Sequence, residues 1–113
     1  MMEISHQALD PDWTVVRLKG RLDAYTCPAV KADLNDLIAG GQLKIVIDLQ
    51  EVPFMDSSGL SSLVSGLRLV REKGGNLALS GVQEKVQVVL RLTMLDRVFP
   101  IHATPQAAQQ NLP

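Results

Sequence analysis

Lys44-Ile-Val-Ile-Asp-Leu-Gln-Glu-Val-Pro-Phe-Met-Asp-Ser-Ser-Gly-Leu60 is the stretch whose reading decides the fold. Its first six residues, Lys44 to Leu49, are short, β-branched and nearly continuously apolar, the pattern of a central strand covered on at least one face. The period then changes. Leu60, Leu63, Val64, Leu67 and Val70 recur at helical spacing, so a helix begins around Ser57 or Ser58 and stops at Gly74-Gly75, with Gly66 weakening its middle. Asn76-Leu-Ala-Leu-Ser80 follows as another strand. A strand, a helix and a strand in so short a span imply a right-handed crossover.

Working outward, Trp13 to Lys19 alternates loosely between apolar and polar positions, ends at Gly20 and follows the turn-prone Asp10-Pro11-Asp12. Glu3 to Ala8 extends as its antiparallel hairpin partner. From Cys27 to Gly40, Val30, Leu34, Leu37 and Ile38 mark an amphipathic helix, with Thr26 as cap and Gly40-Gly41 as stop. Beyond Ser80, Val82, Val86, Val89 and Leu90 recover helical spacing. Val98-Phe-Pro-Ile101 then offers a short strand that Pro100 confines to an edge or irregular position, and Thr104 to Asn111 a closing helix. The expectation is an α/β fold in one domain over residues 1–113: a mixed sheet of four or five strands, an antiparallel opening hairpin and packed α-helices.

Composition narrows the function. The 113 residues are 46% hydrophobic and 20% charged, enough for one core and too little for a second catalytic domain. Eleven Lys and Arg against twelve Asp and Glu give a formal charge of −1, so there is no general attraction for nucleic acid or an anionic membrane. Cys27 is the sole cysteine, which rules out an intramolecular disulfide or a multi-cysteine metal site and suits a reducing compartment. No apolar run approaches the roughly 18 residues of a membrane span, and Met1-Met2-Glu3 does not open a basic, apolar targeting signal. A cytoplasmic protein is expected. With only Trp13, Tyr25, Phe54 and Phe99 as aromatics, the core must be aliphatic and a base-stacking surface has no support.

Most chemistry-bearing patterns are missing. There is no phosphate loop, no GxGxxG fingerprint, no HExxH and no GxSxG. His6 and His102 lie near opposite ends of the chain and take surface or packing roles. Cys27, at a helix start without a nucleophile's neighbourhood, reads as a packed thiol. One constellation remains: Asp48 follows the apolar strand, and Val52 to Leu60 then delivers two hydroxyls to a helix N-terminus, where unpaired amides and the helix dipole favour an anion, including a covalently attached phosphate. Local chemistry supports either simple capping by Ser57 or Ser58 or a phosphorylated hydroxyl, and the two can coexist.

Gly20-Arg-Leu-Asp-Ala24, Phe54-Met-Asp-Ser-Ser-Gly-Leu60 and Lys73-Gly-Gly75, in that order, resemble the STAS domain of bacterial anti-sigma factor antagonists, and the likeness covers nearly the whole chain. The resemblance implies a non-enzymatic regulator in a partner switch, without cofactor or metal. Matching the motif position by position makes Ser57 the phosphoacceptor. Its implied partners are an anti-sigma factor with serine kinase activity and a metal-dependent serine phosphatase, with no direct nucleic acid or membrane contact. It also places Asp23, Asp56, Ser57, Ser58 and Gly59 in the partner-binding region, with Ser58 assigned to the helix start. Phe54 and Met55 offer either apolar partner contacts or burial beneath the loop, and burial is the expected use. Met94, before Leu95-Asp96, departs from a small residue in many relatives and puts the turn geometry there in question.

Two other readings compete. A constitutive STAS scaffold or transporter accessory subunit would use Ser57 only as a cap. A phosphoaspartate receiver would use Asp48, but the early strand lacks an acidic pair for Mg²⁺ and the later strands lack the hydroxyl and lysine that hold phosphate.

Overall fold

Ile45, Val46, Ile47 and Leu49 are fully buried, which is possible only for a strand covered on both faces. That strand lies in the middle of the sheet. The computed structural model describes residues 2–9 and 11–111. In chain order it contains β1 (Glu3–Leu9), β2 (Trp13–Lys19), α1 (Cys27–Ala39), β3 (Lys44–Glu51), α2 (Ser57–Glu72), β4 (Asn76–Ser80), α3 (Glu84–Leu92), a 3-10 turn (Leu95–Arg97), β5 (Ile101–His102) and α4 (Pro105–Asn111). The sheet order is β1-β2-β3-β4-β5. β1 pairs antiparallel with β2, as expected of the opening hairpin, and the remaining pairs are parallel. Asp10, in the expected hairpin turn, and Met1 lie outside the described residues.

Each crossover carries the chain one strand further in the same direction, so the three crossover helices share a face. Val30, Leu34 and Ile38 of α1, Leu60, Leu63, Leu67 and Val70 of α2, and Val86 and Leu90 of α3 join Ile45, Ile47, Leu49, Leu77 and Leu79 in one aliphatic core. The alternate strand residues turn the other way: Val46 and Ala78 pack with Trp13 and with Ala108 of α4. Side-chain alternation along each strand thus supplies both layers.

The structure alters four expectations. Gly66 is a fitted contact, since a Cβ there would lie 2.8 Å from Cδ1 of Leu34, and its absence lets α1 and α2 approach. Thr26 precedes α1 without capping it: its hydroxyl donates to the Arg21 carbonyl at 2.7 Å, while the Asp23 carbonyl accepts the Cys27 amide at 2.8 Å. The strand expected from Val98 begins only at Ile101. Pro100 has no amide to give the ladder, but its carbonyl accepts from Leu79 N–H at 2.8 Å. Val82 lies ahead of α3, whose buried positions are Val86 and Leu90.

Met94 has φ 62° and ψ 15°, the left-handed region, and is the only non-glycine there among the described residues. The doubtful turn therefore keeps a glycine-type conformation with a side chain that strains it. Met94→Gly is expected to stabilise the protein by about 1 kcal/mol in urea unfolding, whereas loss of stability would show the turn relaxed by other means. In the same assay Leu63→Ala should cost about 2–5 kcal/mol and Leu92→Ala less than about 0.5, because Leu63 is fully buried and Leu92 is exposed.

Candidate functional site

The site forms where the loop after β2 meets the segment after β3. Gly20 N–H donates to the Glu51 carbonyl at 3.0 Å, Leu22 N–H to Phe54 at 3.0 Å, and Asp56 N–H to Leu22 at 3.2 Å. These bonds extend the β2–β3 pairing beyond the strands as a parallel bridge between Leu22 and Met55. Leu22, Val52 and Met55 are buried beneath it. The two loops are consequently one rigid surface at the C-terminal ends of the parallel strands, the usual place for function in an open α/β sheet.

Asp56 is the cap of α2. Its backbone is extended and its carboxylate accepts the Gly59 amide at 3.0 Å, while its carbonyl accepts Leu60 N–H at 3.0 Å. This corrects the capping assigned to Ser57 or Ser58, which occupy the first two helical positions. Geometry explains the difference: a cap must stand outside the helix to reach back to the third amide. Freed from capping, Ser57 is exposed and Ser58 half-buried. Ser62, one turn further on, is buried and donates to the Gly59 carbonyl at 2.6 Å.

Gly59 is required by close approach. A Cβ there would sit 2.4 Å from the Leu22 carbonyl oxygen and 2.7 Å from its Cγ, so the absent side chain lets α2 seat against the β2 loop. Asp23 organises the other half of the site. Its Oδ1 accepts from the Tyr25 and Thr26 amides at 3.0 and 3.2 Å, and Arg21 Nε approaches its other oxygen at 3.8 Å. Of the five residues singled out in the sequence, Asp23, Asp56, Ser57 and Ser58 are thus brought to adjoining parts of one surface, whereas Gly59 is buried against Leu22 and supports that surface from below.

Several neighbours were not legible from the motif. Tyr25 is 94% exposed, and Phe54 emerges to the surface with the Arg21 guanidinium 4.0 Å above its ring centre, correcting its expected place beneath the loop. Met55 alone takes the buried position. A shallow cleft beside the helix start is lined by Cys27 and Lys31 of α1 and by Ser57, Ser58, Ser61 and Ser62 of α2. Cys27, expected as a packed thiol, is only half-buried there. The signal for these residues is three-dimensional, because α1 and α2 meet only in the folded sheet.

Asp48 is committed elsewhere. It is buried, accepts the Gln50 amide at 3.1 Å and pairs with Arg17 at 3.3 Å, a closure of the end of β3. Among the described residues no group of three metal-ligating side chains comes together and no helix is long and apolar enough to cross a membrane.

Comparison with known proteins gives a consistent family. Residues 4–108 match the model of the STAS domain. An anti-sigma F factor antagonist of Paenibacillus polymyxa is 35% identical over 89 residues, covering 78% of this chain and 76% of the relative. An anti-sigma-B factor antagonist of Bacillus subtilis is 30% identical over 96 residues, covering 84% and 86%. The crystal structure of an anti-sigma factor antagonist from Mycobacterium paratuberculosis superposes with a TM-score of 0.84 at 26% identity, covering 97% of this chain and 92% of that one.

The cap assignment has a direct check in thermal or urea unfolding. Asp56→Ala should lose about 0.5–2 kcal/mol, with Ser58→Ala close to neutral; the reverse ranking would restore Ser58 as the cap. Gly59→Ala should cost about 1–3 kcal/mol by forcing α2 away from Leu22.

Proposed function

With the chain a member of the STAS domain family, we propose that it is an anti-sigma factor antagonist whose docking surface is switched by phosphorylation of Ser57. The observation that carries this reading is the division of labour at the entrance of α2: Asp56 holds the helix end, and Ser57 stands exposed with its hydroxyl free of that duty. A kinase can therefore modify Ser57 without dismantling the cap.

In the unphosphorylated state an anti-sigma factor docks over Asp23, Asp56, Ser57 and Ser58, the surface that the buried Gly59 seats against Leu22, and releases its sigma factor. Tyr25, Phe54 and Arg21 add the aromatic and guanidinium contacts that commonly dominate protein interfaces. The partner supplies serine kinase activity: the Ser57 oxygen takes the γ-phosphoryl group of ATP, ADP leaves, and the hydroxyl proton passes to the kinase. The new group brings a charge of about −1.5 to −2 to a face that must desolvate on docking, so binding is lost. A metal-dependent phosphatase restores it by hydrolysis. The chain itself turns over no substrate and acts in the cytoplasm.

Calorimetry against an anti-sigma factor with kinase activity, joined to phosphosite mapping by mass spectrometry, tests the switch. Ser57→Ala should bind like the unmodified protein and accept no phosphate. Ser57→Asp should bind at least about tenfold more weakly, since docking must desolvate the added carboxylate and a net penalty of about 1.4 kcal/mol is a decade in affinity. Equal affinities for the two variants, with phosphate on Ser58 or nowhere, would overturn the assignment.

A further inference from the structure

A phosphate on Ser57 would join an already acidic neighbourhood, with Asp56 adjacent in the chain and Asp23 in the loop that packs against it. Both carboxylates have structural work: Asp56 holds the Gly59 amide, and Asp23 holds the Tyr25 and Thr26 amides. Neither can turn away without loosening a helix start. Arg21 is drawn to Asp23 at 3.8 Å and to the Phe54 ring. The phosphorylated state therefore needs a cation from another element.

The cleft beside Ser57, about 310 Å³ in volume, contains one charged residue, Lys31. Cys27 and Lys31 are one turn apart and present the same face of α1 to the serines of α2. Every other lining residue is an uncharged serine or the thiol, and Lys31 makes no ion pair among the described residues. Neither helix has an acidic residue in its first turn, and the two carboxylates nearby, Asp56 and Asp23, are engaged by the Gly59, Tyr25 and Thr26 amides. On the α2 side, the amides of Ser57 and Ser58 have no protein partner among the described residues, because the Asp56 cap takes those of Gly59 and Leu60.

We propose that Lys31 is the counter-ion of the phosphorylated state, its ammonium pairing with the phosphate on Ser57 across the cleft between α1 and α2. This rests on Ser57 being the phosphoacceptor and deepens that reading. The pair places the phosphate over the α2 entrance and offsets its repulsion from Asp56 and Asp23. It also separates a phosphate from a carboxylate substitute: Ser57→Asp is too short and carries too little charge to engage Lys31 in the same way.

The pairing is read without any partner protein. Phosphoserine is installed at position 57 during translation, and the phosphate is titrated by ³¹P NMR. Free phosphoserine has its second ionisation near pH 6; pairing favours the dianion, so the midpoint in the otherwise unaltered protein should lie about half a unit below that of Lys31→Gln, converging at high salt. Lys31→Arg should restore the low midpoint. Lys44→Gln, at the opposite end of β3, should leave it unchanged and controls for net charge. Cys27 lines the cleft, Asp56 precedes Ser57 and Asp23 pairs with Arg21 in the neighbouring loop; all four are common to these proteins, so the comparison isolates Lys31. Equal midpoints with Lys31 and Lys31→Gln would overturn the proposal, as would an equal shift from Lys44→Gln. The switch is judged separately: if the Ser57 phosphoprotein binds the anti-sigma factor as tightly as the unmodified form, the regulatory reading fails while the measured Lys31 pairing stands.

Discussion

The backbone seam at Leu22 is the constraint on which the functional surface depends. Leu22 donates to Phe54 and accepts from Asp56, and its carbonyl leaves no room for a side chain on Gly59. A buried peptide must satisfy both its polar groups, so the loop after β2 and the entrance of α2 hold one relative position. The seam fixes the helix end in space, Asp56 fixes it chemically, and Ser57 is left exposed between them.

That arrangement suits a switch made by charge and bulk alone. The core under the site is aliphatic and fully buried, with Leu18, Leu22, Leu49, Val52 and Leu63 among its members. Close-packed interiors do not deform gradually, so on the proposed reading a phosphate at the rim would be sensed where it is attached. Two cations frame the rim in different ways. Arg21 is held by Asp23 and Phe54, which preorganises it for a partner, whereas Lys31 has no ion pair among the described residues and a flexible stem.

The sequence and the fold agree most closely where burial is periodic. Lys44 to Leu49 and Asn76 to Ser80 are strands because continuous β-branched and aliphatic runs suit a covered sheet, and the α2 stripe buries Leu60, Leu63, Leu67 and Val70. The departures share another origin. Gly66 looked like a weakness and is a contact with Leu34, Thr26 looked like a cap and bonds backwards to Arg21, and Phe54 looked buried and stacks under Arg21. In each case the deciding neighbour belongs to another element or turn.

By itself the sequence determined the α/β class, the opening hairpin, the helical and strand cores, and the motif that gathers Asp56, Ser57, Ser58 and Gly59, because these follow from local periodicity and from residues adjacent in the chain. Only the tertiary structure decided that Asp56 caps α2, that Gly59 seats against Leu22, that Tyr25 and Phe54 face outward, and that Lys31 shares a cleft with Ser57. These relations depend on the distance and direction between segments far apart in sequence, which are set when the β2–β3 pairing closes and α1 packs on α2.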